Sequence, residues 1–252
     1  MADEPLIAVF VDFENLAIGV RDMNKGPFQI DLVLRRLLEK GRIVFKRAYC
    51  DWKHYRDAVP ELHRHGMEMV DIPGSKASGK NSADIRMVTD AIDLCYSKDH
   101  IDTFALVSGD SDFSPLASKL KENNKRVIGC GVKNSTSDLL MESCDEFILY
   151  DDLIRAATKA HVPRPQHRKE PKKQEAFDRV VEIVGSLALD HDVVWGSMVK
   201  QAIKRVYPGF NENYYGYNSF TKLLEDMKKE RLLELGEERP GNYSVRVSGE
   251  TS

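Results

Sequence analysis

Phe104-Ala105-Leu106-Val107-Ser108-Gly109-Asp110-Ser111-Asp112-Phe113 is a short apolar strand that empties directly into a turn carrying two carboxylates. The amino terminus repeats the device, where Leu6-Ile7-Ala8-Val9-Phe10-Val11 delivers Asp12, followed by Glu14 and Asn15. Outward from these two runs, strand-like segments recur at Arg42 to Tyr49, Met67 to Ile72, Arg126 to Val132 and Glu146 to Leu149. Helical patterns lie between them at Asp31 to Glu39, Tyr55 to His65, Ala83 to Tyr96, Ser114 to Glu122 and Ser137 to Glu142. This alternation predicts an α/β domain with a mostly parallel sheet covered by helices on both faces. In such sheets ligands collect beyond the carboxyl ends of the strands, so both acidic turns are expected to project into one crevice. Carboxylates crowded to about 4 Å repel by about 4 kcal/mol per pair at an effective dielectric near ~20, so the cluster calls for a cation. Oxygen-only donors favour Mg²⁺ or Mn²⁺ over zinc.

The rest of the composition bounds the function classes. A chain of 252 residues that is 42% hydrophobic and 31% charged is an ordinary globular protein of one or two domains. Its formal net charge of -3 gives no overall attraction for nucleic acid, so any such binding must use local basic patches. Cys50, Cys95, Cys130 and Cys144 form no C-x-x-C pair and read as reduced thiols. His63 and His65 do not share a helical face, which argues against a zinc site. The apolar run at the amino terminus is too short for a signal peptide, and no run approaches the roughly 20 apolar residues of a membrane span. The expectation is a cytoplasmic protein with no membrane partner.

From Lys159 to Glu175 the pattern breaks into Pro163, Pro165 and Pro171 interleaved with Arg164, His167, Arg168, Lys169, Lys172 and Lys173, which reads as a basic linker. Beyond it Phe177, Val180, Val181, Ile183 and Val184 make one helix face. Met198, Val199, Ala202 and Ile203 make a second, and Phe220, Leu223, Leu224 and Met227 a third. Leu232 to Leu235 and Tyr243 to Val247 flank a Gly/Pro turn as a hairpin, completing a small winged-helix plan. The expected domains are residues 1–158, a linker over 159–175, and 176–248.

Each acid has a plain structural role to set beside the metal-binding one. Asp12 suits a turn or helix cap. Ser111 or Asp112, ahead of Pro115, suits a helix start, whereas Asp110 lies in the turn without that alternative. Asp84 opens a helix, where the dipole favours a carboxylate by roughly 0.3 to 1 kcal/mol. The preceding Gly74-Ser75-Lys76-Ala77-Ser78-Gly79-Lys80-Asn81-Ser82 suits either a phosphate backbone or a plain surface loop. Asp90 and Asp93 do not share the face of Asp84 and read as structural or solvated. In the second module Lys200, Lys204 and Arg205 fall on one side of a helix, with Tyr214, Tyr215 and Tyr217 in the next loop. Cations beside aromatics suit a nucleic-acid strand, and tyrosines packing the small core are the alternative.

The set Val11-Asp12-Phe13-Glu14-Asn15, Lys80-Asn81-Ser82-Ala83-Asp84, Ser108-Gly109-Asp110-Ser111-Asp112-Phe113 and Ser135 through Asp145-Glu146-Phe147-Ile148 resembles the NYN domain of the PIN-like nuclease superfamily, particularly its LabA-like branch. The resemblance spans roughly the first 155 residues. It implies a doubly wound α/β sheet and Mg²⁺- or Mn²⁺-dependent cleavage of RNA. It implies Asp12, Asp84, Asp110 and Asp112 as metal-binding acids, Asn15 and Ser108 as supporting polar groups, and Lys80 on the substrate. Glu14 stands where many relatives carry Gly or Ala. Residues from about Ala176 to Val247, through Gly196, Pro208-Gly209-Phe210, Tyr215-Gly216-Tyr217 and Ser219 to Leu224, are similar to the OST-HTH or LOTUS module, a winged-helix-like fold associated with RNA. The expected function is a metal-dependent ribonuclease acting on single-stranded or structured RNA, with Lys200, Lys204, Arg205 and Tyr215 contacting the substrate. The rival is an RNA-binding regulator that cleaves nothing; an aspartyl-phosphate phosphatase fits less well, because position 14 is Glu rather than Asp.

Overall fold

A computed structural model describes residues 4–23, 26–73, 82–160, 171–239 and 242–249. Two compact units emerge, Met1–Leu37 with Arg42–Thr158, and Leu38–Gly41 with Lys159–Ser252. The first unit runs β1 (Leu6–Asp12), α1 (Phe13–Asp22), α2 (Ile30–Lys40), β2 (Arg42–Cys50), α3 (Val59–Arg64), β3 (Glu68–Asp71), α4 (Ser82–Ser97) and β4 (Thr103–Val107). It continues through α5 (Ser114–Glu122), β5 (Arg126–Gly131), α6 (Asp138–Ser143), β6 (Glu146–Leu149) and α7 (Tyr150–Ala160). The strands pair in parallel throughout, in the order β3-β2-β1-β4-β5-β6. This is the expected doubly wound sheet, and its strand order reverses between β1 and β4.

Burial explains why the strands read as continuous apolar runs. Ile7, Val9 and Val11 face one core with Leu16, Val20, Val33, Leu62 and Tyr150. Ala8 and Phe10 face the other, with Met87, Ala91, Leu116, Leu120 and Leu140. Helices α1, α2, α3 and α7 therefore cover one face and α4, α5 and α6 the other, so no strand side needs polar residues. Phe10 stacks on Phe104 at 6.0 Å and lies parallel to Tyr49 at 6.5 Å in the second core.

The apolar pattern anticipates neither α1 nor α7. Helix α1 follows β1 without a loop: Asp12 caps it, its carboxylate accepting from Asn15 N, and Phe13, Leu16 and Val20 are buried along one side. Helix α7 follows β6 just as abruptly. The stretch expected as one helix from Tyr55 opens instead with a short 3-10 turn at Arg56–Ala58, and α3 starts only at Val59, with Pro60 in its first turn.

Asp90 takes the structural role expected of it. It accepts from Tyr49 Oη at 2.9 Å, Arg47 at 2.8 Å and Arg86 at 2.9 Å, docking α4 against β2. Its carboxyl is held below the ordinary range: burial opposes ionisation, but hydrogen bonds from Tyr49, Arg47 and Arg86 outweigh it. A hydrogen bond to a charged group contributes about 1.5 to 3 kcal/mol. Tyr49→Phe should therefore lower unfolding free energy by about 1.5 kcal/mol in urea titration; an unchanged midpoint would show that the Arg47–Asp90 pair alone docks the helix.

The second unit comprises α8 (Pro171–Leu187), α9 (Gly196–Val206), α10 (Phe220–Lys229) and an antiparallel hairpin of β7 (Leu233–Arg239) and β8 (Asn242–Val247). Phe177, Val180, Ile183, Val199, Ile203, Phe220, Leu223, Leu224 and Val245 share its core. Helix α8, described from Pro171, overlaps the stretch expected as linker. Residues 161–170 and the 74–81 loop, Lys80 included, lie outside the described residues. Among the described residues no helix is long and apolar enough to cross a membrane.

Candidate functional site

The reversal of strand order between β1 and β4 opens a crevice at their carboxyl ends, and Asp12 and Asp110 stand on its two lips. Asp12 is 7% exposed. One of its oxygens accepts from Ser108 Oγ at 2.9 Å, and the other accepts from Asn15 N at 3.3 Å. Ser108 Oγ accepts in turn from Asp110 N at 3.1 Å, and Asn15 Oδ1 accepts from Gly109 N at 2.9 Å. The end of β1, the start of α1 and the turn after β4 are thereby tied into one ring of hydrogen bonds.

Asp110 caps the 3-10 turn Ser111–Phe113, its carboxylate accepting from Asp112 N at 3.0 Å. The capping role expected of Ser111 or Asp112 thus falls to Asp110, because the chain tightens into a 3-10 turn before α5 and moves the cap one or two residues upstream. Asp84 lies in the first turn of α4, the helix that leaves the carboxyl end of β3.

Burial is the main reason that the Asp12 carboxyl is pushed up to about 7; the Ser108 hydrogen bond opposes this, and the charges of Asp84 and Asp110 add to it. Asp12, Asp84 and Asp110 therefore share one field. Asp112, on the same turn, is exposed. The same negative field reaches across the end of β2. Burial first, then Glu14, Asp12 and Asp51, push the Cys50 thiol up to about 12. Tyr55 is raised by burial and then by Glu14. Glu14, unassigned from sequence, thus adds its charge to the field at the end of β2.

Gly109 holds a tight junction in the structure that its sequence context does not announce. A Cβ there would lie 2.4 Å from the Ser135 carbonyl oxygen and 3.0 Å from Thr136 Cα, so the turn carrying Asp110 abuts the loop after β5. Ser137 N donates to Gly109 O at 2.9 Å across the same junction.

The donor chemistry suits a divalent cation. Buried Asp12 is a poor host for its own charge, and a cation among Asp12, Asp84 and Asp110 would relieve both desolvation and mutual repulsion. Among the described residues no three His, Cys, Asp or Glu side chains form a ready-made cage. That arrangement still suits Mg²⁺, which takes one or two carboxylates and keeps several waters.

In the second unit Lys200 pairs with Glu212 at 3.0 Å, and Lys204 acts on the same carboxylate. Tyr215 does not present the ring expected of it. It is 5% exposed, tilts against Phe210 at 5.2 Å and accepts from Arg179 at 3.0 Å, so it serves the core. Tyr217 is likewise buried, its hydroxyl donating to Asp226 at 2.6 Å.

With this geometry in place, comparison with known families is decisive. The NYN domain model matches residues 6–151, more than half of the chain. The chain belongs to the NYN family. The OST-HTH/LOTUS domain model matches residues 174–245, the second unit of this NYN protein. NYN domains fall in the PIN-like nuclease superfamily and OST-HTH/LOTUS domains are RNA-binding, so the pair supports a nuclease or RNA-binding role. An uncharacterized protein of Methanocaldococcus jannaschii is 29% identical over 181 residues, covering 71% of this chain and 66% of the relative, just under two thirds of its length. The crystal structure of a protein of unknown function from Vibrio parahaemolyticus superposes with a TM-score of 0.54 at 27% identity, covering 61% of this chain and 97% of that one.

Proposed function

We propose that this NYN protein is a divalent-metal-dependent ribonuclease whose second unit holds the RNA. The observation that carries the reading is the burial of Asp12 at the point where strand order reverses, within the field of Asp84 and Asp110. A metal-free structural role gives no reason to bury a carboxylate against two others. The phosphate of a nucleic-acid backbone brings still more negative charge to the same crevice. A glycine-rich dinucleotide loop is missing after β1, where Phe13-Glu14-Asn15 open α1 instead, so nucleotide cofactor chemistry is not favoured at this switch point.

In this reading Asp12, Asp84 and Asp110 would hold Mg²⁺ or Mn²⁺, with Asp112, exposed on the same turn as Asp110, as the fourth proposed acid. The cation supplies charge neutralisation at the scissile phosphate and an acidified water. Ser108 and Asn15 keep the Asp12 oxygens aimed at the crevice, since each bond they make fixes a lone pair that would otherwise rotate. Asp12 gives up its proton as the cation enters, so metal affinity should rise with pH through about 7. Lys80, Lys200 and Lys204 remain the proposed cationic contacts to RNA, whereas the Arg205 guanidinium donates to the Leu38 and Glu39 carbonyls.

Cleavage of labelled single-stranded RNA by wild-type and Asp110→Asn protein, with Mn²⁺, with Mg²⁺ and with EDTA, tests the proposal. Wild-type cleavage that needs the metal is expected, with Asp110→Asn reduced by at least about a hundredfold. Equal wild-type and mutant behaviour across structured and unstructured RNAs, with binding intact, would assign the protein to the silent RNA-binding class.

A further inference from the structure

Tyr214 is 60% exposed, whereas its neighbours Tyr215 and Tyr217 are 5% and 8% exposed. The ring is held in place by its surroundings. Its backbone N–H donates to Asn211 O at 3.0 Å. Its ring meets Tyr215 at 5.1 Å and 81°, an edge-to-face contact, and Tyr215 is itself fixed by Phe210 and Arg179. A rigid foundation thus carries a ring that is largely exposed.

The surroundings are cationic. The Lys172 ammonium stands 4.8 Å from the Tyr214 centroid and that of Lys173 5.7 Å from the Tyr217 centroid. Glu212, two residues before Tyr214, is matched by Lys200 at 3.0 Å and acted on by Lys204 as well. Glu175 at the same end of α8 is paired with Arg179 at 2.5 Å. Lys172, Lys173, Lys200 and Lys204 thus stand around these rings and Glu212, in a chain whose formal charge is -3.

We propose that Tyr214 is a stacking platform for one unpaired base, with Lys172, Lys200 and Lys204 taking the flanking phosphates. The inference rests on the RNA-holding role of the second unit and names the RNA class: single-stranded, because a duplex keeps its base faces inside the helix. Stacking on an aromatic ring tolerates any base, so affinity should vary little with sequence.

Binding by the full-length chain in EDTA, which holds cleavage off, tests this. The probes are a fluorescein-labelled mixed-sequence RNA strand and the same strand annealed to its complement. Tyr214→Ala should weaken single-strand binding by about tenfold or more, Tyr214→Phe should stay within about twofold of wild type, and neither should change duplex binding. Thermal melts of both variants should match wild type, since the ring is largely outside the core. If wild type binds the strand and Tyr214→Ala binds equally well, the platform is wrong while the RNA-holding role stands. Equal losses on strand and duplex would also overturn it, by showing a structural effect. Wild-type protein that binds neither probe would remove the RNA-holding role itself.

Discussion

Asp12→Asn protein should be inactive and, in EDTA above neutrality, more stable than wild type. Unfolded, Asp12 ionises near 3.8; folded, it keeps its proton up to about 7, chiefly because burial disfavours the charge. Between those values the folded state binds more protons than the unfolded one, so stability falls as pH rises and levels off above about 7. The stabilisation is complete below 3.8 and is lost on passing through the folded value; its size is roughly 4 kcal/mol. Asn at this position keeps the shape and the oxygen that accepts from Asn15 N, but never ionises. Metal-free melting curves across pH should therefore show wild type losing stability toward neutrality while Asp12→Asn stays flat. Mn²⁺ should raise the melting temperature of wild type and leave that of the variant unmoved, since only a cation that binds the folded state stabilises it. Parallel pH profiles for the two proteins would show that the Asp12 charge is not the strained element.

Gly109→Ala is expected to damage both the fold and the site. The added methyl would lie 2.4 Å from a backbone oxygen and 2.9 Å from the carbonyl carbon of Ser135, atoms that no side-chain rotation can move aside. Forcing an extra methyl into such a junction costs about 1 to 3 kcal/mol. The relief must come from shifting the turn that carries Asp110 or the loop at Ser135, and either breaks the bond from Gly109 N to Asn15. Cleavage should fall by more than tenfold even at temperatures where the variant is folded, because displacements near 1 Å at a reacting centre carry losses of about a hundredfold. Gly209→Ala, whose methyl would meet nothing within 4 Å, serves as the control for a glycine substitution without a clash. Retained cleavage in Gly109→Ala would show that the turn adjusts without moving Asp110.

The sheet was legible because its strands are buried on both faces: Ile7 to Val11 and Phe104 to Val107 have no polar interruption, and the acids that end them mark the crevice. Helix α1 was less so, although Phe13, Leu16 and Val20 carry helical spacing, because the expected loop between strand and helix is missing and Asp12 does the capping itself. A capping role and the proposed metal-binding role do not separate in sequence, since Asp12 and Asp110 keep the hydrogen-bonding geometry of caps within the acidic crevice. Tyr214, Tyr215 and Tyr217 are chemically alike in sequence; only the packing of Phe210 and Arg179 decides which ring turns inward.

The ring linking Asp12, Ser108, Asp110, Gly109 and Asn15 has an evolutionary consequence. One exchange of a carboxylate oxygen for an amide nitrogen at Asp12 would preserve the side chain's shape while removing its charge. Asp and Asn codons differ by a single base, so if the proposed cleavage is real, the route from it to a silent RNA binder is one step long and, by the linkage argument above, runs downhill in folding free energy. Any lineage in which cleavage stopped being useful would have had stability as an incentive to take it. Retention of Asp12 in this chain is therefore the costlier choice, and a use for its charge is what balances it.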